Sequence, residues 1–248
     1  MKVGLFVTCL VDVARPEIGF AALKLLEAAG CEVVVPGSQT CCGQPGYNSG
    51  ARGIALTLAR KVLAEFKDCD YVVAPSGSCS GQVKASYAQD LFKDQPDRAE
   101  IEKLAAKWYE LSDFLVNVLK VQSVPGRFGG TVTYHDSCSG LRELGVFEQP
   151  RALLGAVGGL EMKPLEGNDV CCGFGGTFCV KYPAISNAVV SEKAAAVQRS
   201  GAQVLLGGDL GCLINMAGKL HRNGSPVRVY HAAEVLAGMA DAPSISEK

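Results

Sequence analysis

The chain has 248 residues, a mass of 26.0 kDa and a net charge of −1. Apolar residues make up 48% and charged residues 20%, a globular balance that excludes disordered and fibrous proteins. There is no basic excess to hold nucleic acid or an anionic membrane. No window approaches 18 uncharged apolar residues, so no membrane span is expected. The apolar start, Gly4 to Val11, is closed by Asp12 and lacks a cleavage pattern, so a signal peptide is not expected either.

Taken in chain order, strands and helices alternate. Residues 2–7 read as a buried strand, with Cys9 just beyond its end. Residues 17–29 have helical apolar spacing and stop at Gly30; residues 32–35 are β-branched and stop at Pro36-Gly37. The turn Cys41-Cys42-Gly43 follows. Residues 50–67 read as a helix, 71–74 as a strand, and Pro75-Ser76-Gly77-Ser78-Cys79 as the loop after it. Residues 99–119 read as one helix carrying Trp108. Beyond the stretch 123–130, rich in Gly and Pro, the order repeats: strand 131–134, Cys138, helix 152–157, strand 160–163, Cys171-Cys172-Gly173, helix 184–199, strand 203–206 and Cys212. A last strand at 227–230 and a helix at 231–237 close the pattern. The expectation is an α/β protein of two lobes related by a pseudo-twofold, residues 1–122 and 123–248. Each would be a small, mostly parallel sheet flanked by helices, with its cysteines on the loops after strands, where sites of open α/β sheets gather.

Eleven cysteines are present. A chain of this size builds a core without disulfide staples, so clustered thiols point to metal or redox chemistry. Cys41-Cys42-Gly43 recurs 130 residues later as Cys171-Cys172-Gly173. Cys9 lies 32 residues before the first pair and Cys138 lies 33 before the second; Cys79 follows Cys42 by 37, and Cys212 follows Cys172 by 40. Two four-cysteine sets therefore recur in the same order. Cys31, Cys69 and Cys179 have no counterparts and read as small buried hydrophobes. Four thiolates suit zinc or an iron–sulfur cluster. Structural zinc sites use knuckles with two to four residues between cysteines, whereas here two are adjacent and the others are distant. Adjacent thiolates point apart, which suits the several irons of a cluster better than one ion. Zinc in one lobe and a vicinal disulfide switch remain open.

The pattern Cx31CCG…C, followed by Cx32CCG…C, resembles the cysteine-rich CCG domain of the heterodisulfide reductases and of the glycolate oxidase iron–sulfur proteins. The blocks LFVTCLVD, CCGQPGYNSG, VVAPSGSC, YELSDFLVNVL, CCGFGGTF and GCLINMAG are similar to the LutA/YkgE lactate utilization family over essentially the whole chain. The resemblance implies a cytoplasmic iron–sulfur protein that works with other lactate utilization oxidoreductase subunits in converting L-lactate to pyruvate. It implies one or two clusters of the 4Fe–4S type, the first on Cys9, Cys41, Cys42 and Cys79, the second on Cys138, Cys171, Cys172 and Cys212. The chain departs from the heterodisulfide reductase pattern at one place in each half. That pattern ends in CxxC, and here Ser76 and Asp209 replace the first cysteine. Four thiolates per half remain. Disulfide reduction and a zinc-stabilised interaction module are the alternative functions.

Of the other polar residues, His135 beside Asp136 is a candidate to donate to a ligand thiolate or to pass a proton. His221 and His231 read as surface or packing residues. The glycine-rich stretches 173–176 and 207–211 do not fit a nucleotide fingerprint. Tyr47, Asn48 and Ser49 extend the first CCG loop and could line a surface for substrate or partner; Arg142 and Glu143 read as solvated charges.

Overall fold

A computed structural model describes residues 1–247. Strands β1 (Lys2–Leu5), β2 (Glu32–Val34), β3 (Tyr71–Ala74) and β4 (Trp108–Glu110) form one parallel sheet, in the order β2-β1-β3-β4. Strands β5 (Arg127–His135), β6 (Gly158–Met162), β7 (Val204–Gly207) and β8 (Arg228–His231) form a second, in the order β6-β5-β7-β8. The two orders are the same, so the cysteine repeat is a repeat of whole α/β lobes. Val3 pairs with Val33 and Tyr71, and Val132 with Met162 and Val204. The central strands are apolar on both faces because helices cover both, as parallel sheets require.

Helix Pro16–Ala28 opens with proline at its first position and lays Ala21, Ala22, Leu25 and Leu26 on the sheet. Helix Arg52–Phe66 does the same with Ala55, Ala59, Val62 and Phe66. Each lobe has its own outer core. Phe6, Phe66 and Trp108 stack in the first, with ring centroids 5.3 to 6.1 Å apart. Leu205, Leu213 and Met216 pack in the second. A third cluster joins the lobes: Val3, Leu5 and Leu26 meet Val132, Leu206 and Leu236. Next to it, the Arg15 guanidinium donates to Glu234 Oε1 at 2.7 Å, with 1% and 0% of these side chains exposed. Glu234 also accepts from the His231 backbone N–H, while His231 Nδ1 accepts from Ala233 N–H. His231 is therefore a buried helix cap, and the Arg15–Glu234 pair beside it ties the lobes together.

One helix expected from the spacing is not formed. Residues 99–119 divide into helix Arg98–Ala106, strand β4 and helical turns at Leu111–Asp113 and Phe114–Val118. Trp108 and Tyr109 add to the edge of β3 instead, where the Trp108 indole is fully buried and donates to Ser80 Oγ at 3.2 Å. Pairing to the sheet outweighs local helical spacing here. No helix among the described residues is long and apolar enough to cross a membrane.

Candidate metal centres

The thiols of each set converge from separate segments at the carboxyl edge of their sheet. In the first, the thiols of Cys9, Cys41, Cys42 and Cys79 influence one another in that order, and Cys42 donates to Cys79 with the sulfurs 3.4 Å apart. In the second, the chain runs from Cys138 through Cys171 and Cys172 to Cys212. All eleven cysteines are free thiols. Cys31 and Cys69 are buried in apolar packing away from both sets, and Cys179 is half-buried with its thiol on the Gly176 carbonyl at 3.3 Å.

Only the paired cysteines sit on loops as expected. The other four stand in the first turns of helices, for a local reason legible in retrospect. Thr8 and Ser137 cap helices that begin at Cys9 and Cys138. Ser76 and Asp209 cap helices in which Cys79 and Cys212 are third. Each cap side chain accepts a backbone N–H: from Val11, Gly140, Cys79 and Gly211. A Ser, Thr or Asp one or three residues before the cysteine was the available signal.

Gly43 and Gly173 turn the backbone at φ +81° and +83°. Each points its N–H at the first thiol of its pair, Cys41 or Cys171, at 3.3 Å. Cys41 is held at about 3 because Cys42 and Cys9 donate to it and the Gly43 N–H adds to them. Cys171 is held low in the same way by Cys138 and Cys172. The donors take the opposite shift: Cys9, Cys42, Cys138 and Cys172 are pushed up, first by those hydrogen bonds and then by burial. Cys212 accepts from Cys172, which lowers it, but burial together with the Asp209 and Cys171 charges outweighs that bond and it is raised. Each quartet thus stabilises one thiolate and resists further ionisation. Four charged thiolates in this space need a bound cation.

By donor chemistry the quartets fit a thiolate-bound metal group. A separation of 3.4 Å between Cys42 and Cys79 is near the ~3.8 Å between two thiolates on one tetrahedral ion with ~2.3 Å bonds. A cluster spreads its four thiolates over several irons, and here they come from separate turns and helix starts.

The surroundings of the two quartets differ. The first opens into a cavity of ≈ 270 Å³ between the lobes, walled by Leu10, Pro45, Phe174, Val180 and Leu210, with Asp209 its charged lining residue. The second is backed by His135, which is 1% exposed. A His135 ring nitrogen and the sulfurs of Cys172 and Cys212 lie within 4.8 Å of one another. Neither ring nitrogen has a hydrogen-bond partner among the described residues; the Asn168 carbonyl is near but short of bonding geometry. Asp136 is turned away, held by Arg151 at 2.8 and 2.7 Å and by Asn168 at 2.5 Å.

The chain matches the cysteine-rich domain family CCG twice, over residues 3–84 and 132–217. Lactate utilization protein A of Geobacillus kaustophilus is 49% identical over 95% of this chain and 98% of its own length. The protein of the same name from Bacillus subtilis is 48% identical over 95% and 99%. The chain belongs to the lactate utilization protein A family. Its fold has a distant likeness in a hypothetical protein from Helicobacter pylori, with a TM-score of 0.66 at 11% identity, covering 97% of this chain and 49% of that one. That likeness speaks for the fold alone.

The remaining polar residues take modest places. Tyr47 donates to Asp90 at 2.7 Å, and Ser49 reaches Thr177 across the lobes at 3.5 Å. Arg142 donates to the Asp169 carbonyl at 3.3 Å, and Glu143 lies against Gly81. His221 is exposed.

Proposed function

We propose that each quartet holds an iron–sulfur cluster and that the protein carries electrons in a cytoplasmic system oxidising L-lactate to pyruvate, together with other oxidoreductase subunits. The observation that carries this reading is the convergence of four thiols on each of two equivalent sheet edges, supported by the name of the relatives. Cys9, Cys41, Cys42 and Cys79 would hold the first group, and Cys138, Cys171, Cys172 and Cys212 the second. Bound there, a cluster supplies one-electron uptake and release at a potential set by its hydrogen bonds and solvent access. The chain's part is to place cysteines at four helix starts, aim the Gly43 and Gly173 N–H groups at sulfur, and bury Cys42, Cys79, Cys172 and Cys212 from water. Lactate itself is assigned to a partner. A hydroxy-acid carboxylate calls for a cation such as Arg, and the charged residue lining the cavity beside Cys41 is Asp209.

Anaerobic purification followed by iron, sulfide and zinc counts and EPR of the reduced protein tests the reading. Iron with equal sulfide and a reduced-state signal is expected. Zinc without sulfide in either lobe overturns it for that lobe, the outcome that the close Cys42–Cys79 approach favours. Disulfide reduction is a second reading, favoured by the apolar cavity opening onto the first quartet. Turnover of a low-molecular-weight disulfide by the reduced holoprotein would select it.

A further inference from the structure

The pseudo-twofold equates residues that the cysteine repeat leaves out. Three positions before the helix-start cysteine of each lobe stand Phe6 and His135. Phe6 belongs to a closed aromatic stack with Phe66 and Trp108. His135 occupies the same place at the end of β5 with no such stack. A second exchange accompanies it. Gly43 packs against Ala55 and Gly173 against Ser186, which aligns helix Arg52–Phe66 with helix Pro183–Arg199 and puts Lys193 opposite Val62. Val62 is a buried apolar residue, and Lys193 is 3% exposed, with its ammonium on the Gly167 and Asn168 carbonyls. The apolar pair behind the first quartet is thus a nitrogen-bearing pair behind the second.

An imidazole buried without hydrogen-bond partners is costly, and such groups are rare unless they serve a site. Here one ring nitrogen shares a 4.8 Å radius with two buried thiols. Both atom types are ligands for the same borderline metals, with bonds of about 2.0–2.1 Å for nitrogen and 2.3 Å for sulfur.

We propose that His135 is a nitrogen ligand to the metal held at the second quartet, alongside Cys172 and Cys212, so that the two centres are chemically distinct. The inference rests on the reading that the quartets bind metal. The first centre is all-sulfur, because Phe6 offers no donor. The second keeps its four cysteines and adds a neutral imidazole donor beside the Lys193 ammonium, whose positive charge gives that centre the higher reduction potential of the two.

The test uses the full chain carrying Cys41→Ser and Cys42→Ser to silence the first quartet, reduced anaerobically and titrated with Co2+ alone. Visible absorption and pulsed EPR report the ligands. The expected result is a mixed sulfur–nitrogen tetrahedral spectrum with imidazole nitrogen coupling. His135→Phe, which copies the first lobe, should lose the coupling and shift the bands to the all-sulfur pattern. Should that variant fail to fold by circular dichroism, His135→Cys provides the same comparison, with nitrogen coupling replaced by stronger sulfur charge transfer. All-sulfur bands without nitrogen coupling before His135 is changed, or coupling that survives either substitution, would overturn the proposal while leaving metal binding intact. Failure to bind Co2+ at all would instead sink the metal reading of this quartet, and the proposal with it.

Discussion

Ser76 Oγ donates to Asp209 Oδ2 at 3.2 Å across the boundary between the lobes. The two residues are equivalent under the repeat, and each caps the helix that carries the last cysteine of its set. Ser78 N–H adds a second bond to the same oxygen at 2.9 Å, and Gly77 N–H reaches the Gly208 carbonyl at 3.4 Å. The place where this chain departs from a CxxC pattern has therefore become a polar clasp on the pseudo-axis.

Asp209→Ala should weaken this clasp. It removes a cap, worth about 1 kcal/mol, and leaves the Ser76 hydroxyl and Ser78 N–H without their acceptor, each at about 1 kcal/mol. Urea denaturation of the metal-free protein should show a loss of about 2–3 kcal/mol, with Asp209→Asn losing less because it still accepts. Stability equal to wild type in the alanine variant would contradict the structural role.

Cys41→Ser should remove about one centre's worth of metal and sulfide from the anaerobic protein, and Cys171→Ser should do the same for the other lobe. Cys31→Ala and Cys69→Ala should leave the content unchanged, since both thiols lie in apolar packing. Elemental analysis decides. Undiminished metal in Cys41→Ser would remove that residue from the ligand set.

The repeat of the cysteines was readable because cysteine is scarce and its gaps survive duplication. Strand β3 was readable to the residue, since a β-branched run before Pro75 has no competing pattern. The break of residues 99–119 was not, because Trp108 and Tyr109 fit helical spacing and only the edge of β3 selects the strand. Nor was the isolation of His135 at the second quartet, which depends on side chains that sequence order leaves far apart. The helix-start cysteines fall between: their caps were in view, but the neighbouring glycines of Pro75–Cys79 and of 207–211 read as loop.

The two CCG turns should tolerate alanine unequally. Both glycines have positive φ, a conformation costing an L-residue roughly 1–2 kcal/mol. A Cβ on Gly43 would meet the Ala55 carbonyl oxygen at 3.3 Å, but one on Gly173 would meet the Ser186 carbonyl oxygen at 2.8 Å and the Val189 side chain at 3.2 Å. Gly173→Ala should therefore lower the thermal midpoint more than Gly43→Ala, and it should deplete the second centre selectively. Equal midpoints would show that the second turn can relax around the added methyl.

Glu110 makes the stability of this fold depend on pH in an uncommon direction. Its carboxylate caps the helical turn after β4, accepting from Ser112 N–H at 2.8 Å, Ser112 Oγ at 2.5 Å and Asp113 N–H at 3.2 Å. Burial nonetheless outweighs these bonds and raises its pKa from 4.5 to about 7. Below the unfolded value both states are protonated and nothing is lost. Between there and about 7 the folded chain keeps a proton that the unfolded chain releases, so stability falls as pH rises, by up to about 1.4 kcal/mol per pH unit. His231, pushed down to about 4 by burial, acts oppositely, losing stability as pH falls below its ordinary value. The Glu110 contribution is isolated by difference. Glu110→Gln keeps an acceptor oxygen and cannot titrate, so its advantage over wild type in urea denaturation should grow from about pH 5 to about pH 8, on the order of 3 kcal/mol in all. A gap that stays constant across that range would mean that Glu110 ionises in the folded protein as it does in the unfolded chain.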